Sequence, residues 1–236
     1  VTDGSVCLAY VHPNEVAHSW HQSVLDLVGW DLAHEQRLMR GGVLAMRCGT
    51  DGLVKARNDV ARRFLAGDAE WLFVVDTDMG FGPDTVDRLI AAADPVERPI
   101  VGALCFAQRE VEQDGMSGFR CEPRPTIIDW VEVDGGRQFA GRADWEPGSL
   151  VQCAATGMAC VVIHRSVVET IGREHGTWYD RIPTADGLLG EDVSFCVRAG
   201  AAGFPVHVDT SVTTTHLKQF WLSEQDYRAF RELRGE

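Results

Sequence analysis

Two carboxylates one residue apart, Asp76 and Asp78, close the apolar run of residues 71–75. Such a run reads as a buried strand, and the carboxyl end of a strand is where an open α/β sheet places its ligand. Hard oxygen donors there suit Mg2+ or Mn2+, and a cation so held can neutralise a diphosphate. The chemistry to expect is that of nucleotide sugars. By itself the Asp-x-Asp spacing is a weak signal, because it also caps the helix that follows a strand. Its surroundings strengthen it: Arg57-Asn58 stands in a helical stretch before the run, and residues 81–85 make a turn into another helix after it.

A second cluster, Gly190-Glu191-Asp192, opens the helical run of residues 193–197. Two acids in a first turn are also the ordinary answer to the helix dipole. These two, however, follow Trp178-Tyr179 and a loop with Pro183 and Gly187, the kind of surface that stacks a sugar or base while a carboxylate takes a proton. His216 forms a third element, beyond a strand at 205–209 and the run Thr213-Thr214-Thr215. A lone histidine serves structure more often than it binds a metal. His18-x-x-His21 has no cysteine or carboxylate pattern to complete a zinc site, so it reads as helix surface.

The elements that must position these residues alternate. Strands are expected at 5–11, 42–48, 70–75, 99–106, 151–163 (with Gly157 inside) and 205–208. Helices are expected from about Asn14, with Val16, Trp20, Val24 and Leu27 on one face, then at 53–66 and 193–202. Strand alternating with helix implies a mostly parallel central sheet flanked by helices, an α/β fold. Residues 107–149 depart from this pattern, being rich in Arg, Glu, Gly, Pro and aromatics, with Trp130 and Trp145 either side of Gly135-Gly136. Such an insert is a candidate acceptor-side surface, or a small hairpin over the sheet edge. Its five arginines (Arg109, Arg120, Arg124, Arg137, Arg142) are outnumbered by nine carboxylates, so it does not read as a phosphate-tracking groove.

The 236 residues are enough for one α/β domain with a sizeable core. A formal charge of −13 opposes sequence-independent adhesion to nucleic acid or anionic membrane. Seven scattered cysteines without a C-x-x-C pair read as reduced core thiols. No signal peptide is apparent, and the longest largely apolar stretch, 150–163, is too short to span a bilayer. A cytoplasmic location is expected, the host cytoplasm if a phage encodes the chain.

Taken in order, Ala9 to Pro13, Ala56-Arg57-Asn58, Val75 to Asp78, Val101 to Leu104, Thr156-Gly157-Met158 with Ile163-His164-Arg165, Gly190 to Phe195, and Ala202-Gly203-Phe204 through His216 resemble the GT-A glycosyltransferases. The likeness is to a compact, family-2-like member of the bacterial and bacteriophage kind, and it covers most of the chain apart from the insert. It implies one GT-A, Rossmann-like domain over residues 1–236. Residues 1–106 would form the nucleotide-sugar and metal half, 107–149 the variable insert, and 150–236 the acceptor and catalytic half.

The resemblance further implies that Asp78 and His216 bind Mn2+ or Mg2+, with Asp76 on the ribose or on metal-bound water. Val11, His12 and Pro13 would line the nucleotide base, and Arg57 with Asn58 would secure the nucleotide or the loop around it. Asp192 would be the general base and Glu191 an acceptor-hydroxyl ligand, with exchange of the two roles open. Gly157, Met158, Trp178 and Tyr179 would complete the acceptor side. The expected activity is transfer from a nucleotide-diphosphate sugar, by default a UDP-sugar, to an acceptor hydroxyl with inversion. The acceptor is left open among a glycan, a protein, a small molecule and a hydroxymethylated DNA base. A sugar-phosphate nucleotidyltransferase is the enzymatic alternative, but His12-Pro13-Asn14-Glu15 offers no glycine-rich, basic triphosphate loop. A non-catalytic sugar-binding module is the other, and it gives no reason for Asp76, Asp78, Asp192 and His216 to occur together.

Overall fold

The structure is a computed structural model that describes residues 4–112, 119–134, 136–184, 187–219 and 222–235. In chain order the elements are β1 (Val6–His12), α1 (His18–Ala33), α2 (Arg37–Gly41), β2 (Val43–Arg47), α3 (Gly52–Ala66), β3 (Trp71–Val75), β4 (Met79–Gly80), α4 (Thr85–Ala92) and β5 (Ile100–Leu104). The insert follows as β6 (Phe106–Glu112), β7 (Phe119–Pro125), β8 (Ile128–Val133) and β9 (Gly136–Gly141). The last part holds β10 (Leu150–Cys153), β11 (Cys160–His164), α5 (Arg165–His175), β12 (Ile182–Thr184), β13 (Gly187–Leu189), α6 (Glu191–Ala201), β14 (Val206–Thr213), β15 (Thr215–His216) and α7 (Glu224–Arg234).

Seven strands form the central sheet in the order β10-β14-β5-β11-β3-β1-β2. Five of them, β1, β2, β3, β5 and β14, run one way; β10 and β11 run against them. Side-chain alternation along each strand gives the sheet two apolar faces. Cys7, Ala9, Leu72, Val74, Val161 and Ile163 pack with α3, α5 and α6, whereas Val6, Leu8, Trp71, Phe73, Val75 and Val162 pack with α1, α2 and α4. Burial on both sides is why these strands read as continuous hydrophobic runs.

Two sequence expectations need correction. Residues 151–163 are two strands rather than one: β10 lies at the sheet edge on β14, while β11 lies in the middle between β3 and β5. The chain crosses between them around Thr156-Gly157, and β11 returns antiparallel, so the sheet is mostly but not wholly parallel. The first helix begins at His18, with Ala17 as its N-cap, rather than near Asn14, and Val16 is exposed. Residues 13–17 instead pass along the ends of β1 and β3, and Ala17 N–H donates to the Thr77 carbonyl at 2.9 Å.

The insert is two antiparallel hairpins, β6 with β7 and β8 with β9. Trp130 and Phe139 stack across the second at 3.7 Å between ring centroids. Gly135 and the Arg120 side chain lie outside what the structure describes. Among the described residues, no helix is long and apolar enough to cross a membrane.

Candidate metal and donor site

The sheet order itself creates a crevice. From β1 the chain reaches β2 on one side over the face that carries α1 and α2, and then β3 on the other side over the face that carries α3. This reversal makes a switch point at the carboxyl ends of β1 and β3, where open α/β sheets bind ligands. A cavity of about 440 Å³ lies there, lined by Val11 and Pro13 from the end of β1, Leu53 and Arg57 from α3, and Asp76 and Asp78 beyond β3. His12 turns its ring nitrogen Nδ1 to the Pro13 carbonyl at 2.7 Å.

His216 is brought to the aspartates by a very short ladder. Asp78 leads into β4, which pairs antiparallel with β15 so that His216 lies opposite Met79. Leu217 N–H then donates to the Asp78 carbonyl at 2.8 Å. Gly80 suits this docking, since a Cβ there would lie 2.5 Å from Thr215 Oγ1 and 3.3 Å from Ser19 Cβ on α1, and the Thr215 side chain would have to shift. The result is that Asp76, Asp78 and His216 offer ligand atoms all within 4.8 Å of one another.

The imidazole is oriented for this task. His216 Nδ1 lies 2.8 Å from the Phe106 carbonyl and so carries the donated proton, leaving Nε2 to face Asp78 Oδ1 at 3.1 Å. Nε2 is buried and has no aligned hydrogen-bond partner. A nitrogen held this way beside two carboxylates fits Mn2+ or Mg2+, and a backbone carbonyl on the other ring nitrogen is the usual outer support of a histidine ligand. Lys218 Nζ takes the second oxygen, Asp78 Oδ2, at 2.9 Å. Burial pushes the Asp78 carboxyl up, but its neighbours His216 and Lys218 outweigh that and hold it at about 2. For Asp76 burial dominates and raises the carboxyl, with Arg57 opposing.

Arg57 connects this cluster to the second acid pair. Its guanidinium, almost wholly buried, lies 3.1 Å from Asp76 Oδ1, 3.5 Å from Glu191 Oε1, and in direct contact with Asp192 Oδ1. Asp192 Oδ2 accepts the Met158 N–H at 3.1 Å. Gly157 passes beside this carboxylate, a Cβ built there lying 3.8 Å from Asp192 Oδ2 and 3.4 Å from the Thr126 side chain. Counted as fully ionised, four carboxylates (Asp76, Asp78, Glu191, Asp192) face two cations (Arg57, Lys218), a formal excess of two negative charges.

Not every expected site residue faces the crevice. Trp178 and Tyr179 are core residues, 6% and 3% exposed, rather than a stacking surface. Trp178 Nε1 donates to the Val168 carbonyl at 2.6 Å, and Tyr179 stacks on Phe195 at 5.0 Å. The Met158 side chain is likewise fully buried, so only its backbone meets the acid. Asn58 has turned away from the cavity to the loop: its Oδ1 accepts from Thr177 Oγ1 and from the N–H groups of Trp178 and Tyr179, while its Nδ2 donates to the carbonyls of Val54 and Tyr179. Sequence reasoning missed Lys218 altogether and missed the contacts of Arg57 with Glu191 and Asp192, because no spacing in the chain marks either.

No family model matches the chain, and no curated protein matches its sequence. Solved structures do match. The crystal structure of A197 from STIV is 14% identical, covers 91% of this chain and 86% of that one, and superposes with a TM-score of 0.50. The crystal structure of GalNAc-T7 with UDP, GalNAc and Mn2+ is 13% identical, covers 92% of this chain and superposes with a TM-score of 0.58. The fold is the GT-A glycosyltransferase fold. This GT-A chain spans 44% of the GalNAc-T7 chain. At these identities the likeness concerns the GT-A fold alone, and the site argument stands on the residues above.

Proposed function

We propose that this chain is a metal-dependent glycosyltransferase that moves a sugar from a nucleotide-diphosphate sugar, by default a UDP-sugar, to an acceptor hydroxyl with inversion. The observation that carries the reading is the Asp76, Asp78 and His216 cluster at the β1/β3 switch point of a GT-A fold. The GalNAc-T7 structure, with UDP and Mn2+ bound, supports the same donor class. Asp78 and His216 would hold the cation, with Asp76 on the ribose or a metal-bound water, and the cation when bound neutralises charge on the leaving diphosphate. Val11, Pro13 and Leu53 give the cavity apolar walls for a base.

Asp192 is the proposed base. A carboxylate has about four lone-pair positions, so contacts with Arg57 and Met158 N–H leave room for an acceptor hydroxyl. Glu191, one residue away and also beside Arg57, would bind a neighbouring acceptor hydroxyl. The net charge of −13 favours a glycan or protein hydroxyl over duplex DNA as acceptor.

The test is a donor-hydrolysis screen across UDP-, GDP- and dTDP-sugars with Mn2+ and with EDTA, paired with calorimetry on Asp78→Ala. The expected result is nucleotide binding and slow donor hydrolysis that require Mn2+ and disappear in Asp78→Ala while its thermal unfolding stays close to wild type. Metal-independent binding, or unchanged Mn2+-dependent affinity in the variant, would sink the assignment.

A further inference from the structure

We propose that Lys218 is an exchangeable counter-ion: its ammonium neutralises Asp78 until a divalent cation takes that carboxylate, and then turns to the diphosphate of the donor. The inference rests on the donor reading above and gives it a residue that the sequence did not mark.

Lys218 holds Asp78 Oδ2 at 2.9 Å, while Oδ1 faces His216 Nε2 at 3.1 Å. A cation bound by Asp78 and His216 must therefore compete with the ammonium for the same carboxylate. The competitor can leave. Lys218 is about a third exposed at the end of a flexible four-carbon stem, whereas His216 is pinned by the Phe106 carbonyl.

Position gives the ammonium somewhere to go. Leu217 lines both the donor cavity and a second cleft of about 620 Å³ that His216, Lys218 and Gln219 also line, so the two adjoin at this segment. Charge gives it a reason. Once a divalent ion offsets the formal excess of two negative charges, the Lys218 charge is no longer needed by Asp78, and an arriving diphosphate presents strong acceptors for a point-charge donor. Two consequences follow from linkage: Lys218 weakens metal binding on its own, and it strengthens diphosphate binding once metal is present.

The experiment titrates Mn2+ alone, and then UDP and GDP at saturating Mn2+, into wild type, Lys218→Met, Lys218→Gln and Lys218→Arg, with thermal unfolding of each as a fold check. Lys218→Met keeps the apolar stem and removes the charge. It should bind Mn2+ about two- to fivefold more tightly, the scale of a partly exposed ion pair. It should bind the preferred nucleotide about tenfold or more weakly, the scale of a charged hydrogen bond. Lys218→Gln should repeat both changes, and Lys218→Arg should restore nucleotide binding. Opposite signs for metal and nucleotide are the signature, since a lysine that only braces the loop would move both together or neither. If wild type binds one nucleotide with Mn2+ but the charge-removing variants bind Mn2+ no more tightly, the exchange is wrong and the donor reading stands. If wild type binds neither nucleotide with Mn2+, the donor reading falls and the exchange falls with it.

Discussion

Arg57 and Asp192 are in direct contact, guanidinium against carboxylate, and the same guanidinium reaches Asp76 at 3.1 Å. One buried side chain on α3 therefore joins Asp76, proposed for the donor end of the reaction, to the carboxylates proposed for the acceptor end. If Asp192 is the base, Asp192→Asn should retain Mn2+-dependent nucleotide binding while transfer falls by about 10²–10⁴-fold. Glu191→Gln should weaken acceptor binding more than donor binding. Product stereochemistry by NMR decides the larger point: retention of the donor's anomeric configuration would remove the general-base role from Asp192.

Removing the joining residue should be felt as stability before it is felt as affinity. Arg57→Ala leaves Asp76, Glu191 and Asp192 facing one another without their shared cation. A cost of about 2–3 kcal/mol is expected, less than for a fully buried pair because the carboxylates are partly hydrated. Urea unfolding would measure it. Arg57→Lys should recover only part of the loss, since one ammonium cannot span acids that a planar fork holds at once.

Asn58 should behave as a structural residue. Its amide pins residues 177–179 to α3 from inside the core, so Asn58→Leu should destabilise the fold by on the order of 3 kcal/mol by leaving buried backbone groups unpaired. Nucleotide affinity of the folded fraction should change little. A large affinity loss at unchanged stability would return Asn58 to the donor site.

The cysteines give a test that needs no ligand. Burial pushes the thiols of Cys105, Cys153 and Cys196 up to about 12, Cys7 to about 11, and Cys160 well above its ordinary value. Raised values keep these groups as thiols, and the reactive thiolate becomes common only as pH climbs towards those values. At about pH 8, iodoacetamide should label Cys48 and Cys121, the two half-buried ones, and reach the other five only after unfolding. Peptide mapping by mass spectrometry reads the outcome, and rapid labelling of Cys105 or Cys160 in the native state would show that the sheet centre is open.

Local chemistry was legible in the sequence because it depends on neighbours in the chain. Residues 71–75 had to be a strand buried on both faces, and the break from apolar residues to Asp76 and Asp78 had to fall at its carboxyl end. The acids at 191–192 had to open a helix, and the alternation of strands with helices carried the α/β class. What pairs with what was decided only by the tertiary structure. The split of residues 151–163 into an edge strand and a central one depends on where β14, β5 and β3 lie, which no periodicity within the segment records. The burial of Trp178 and Tyr179 depends on Asn58 and Phe195 arriving from elsewhere in the chain. His216 could be placed beside Asp78 only by family resemblance; the physical cause is the β4/β15 ladder, a two-residue pairing too short to leave a pattern. Lys218 and the reach of Arg57 left no trace at all, because an ion pair between distant residues is set by where the backbone brings their charges, and composition carries the charges without their positions.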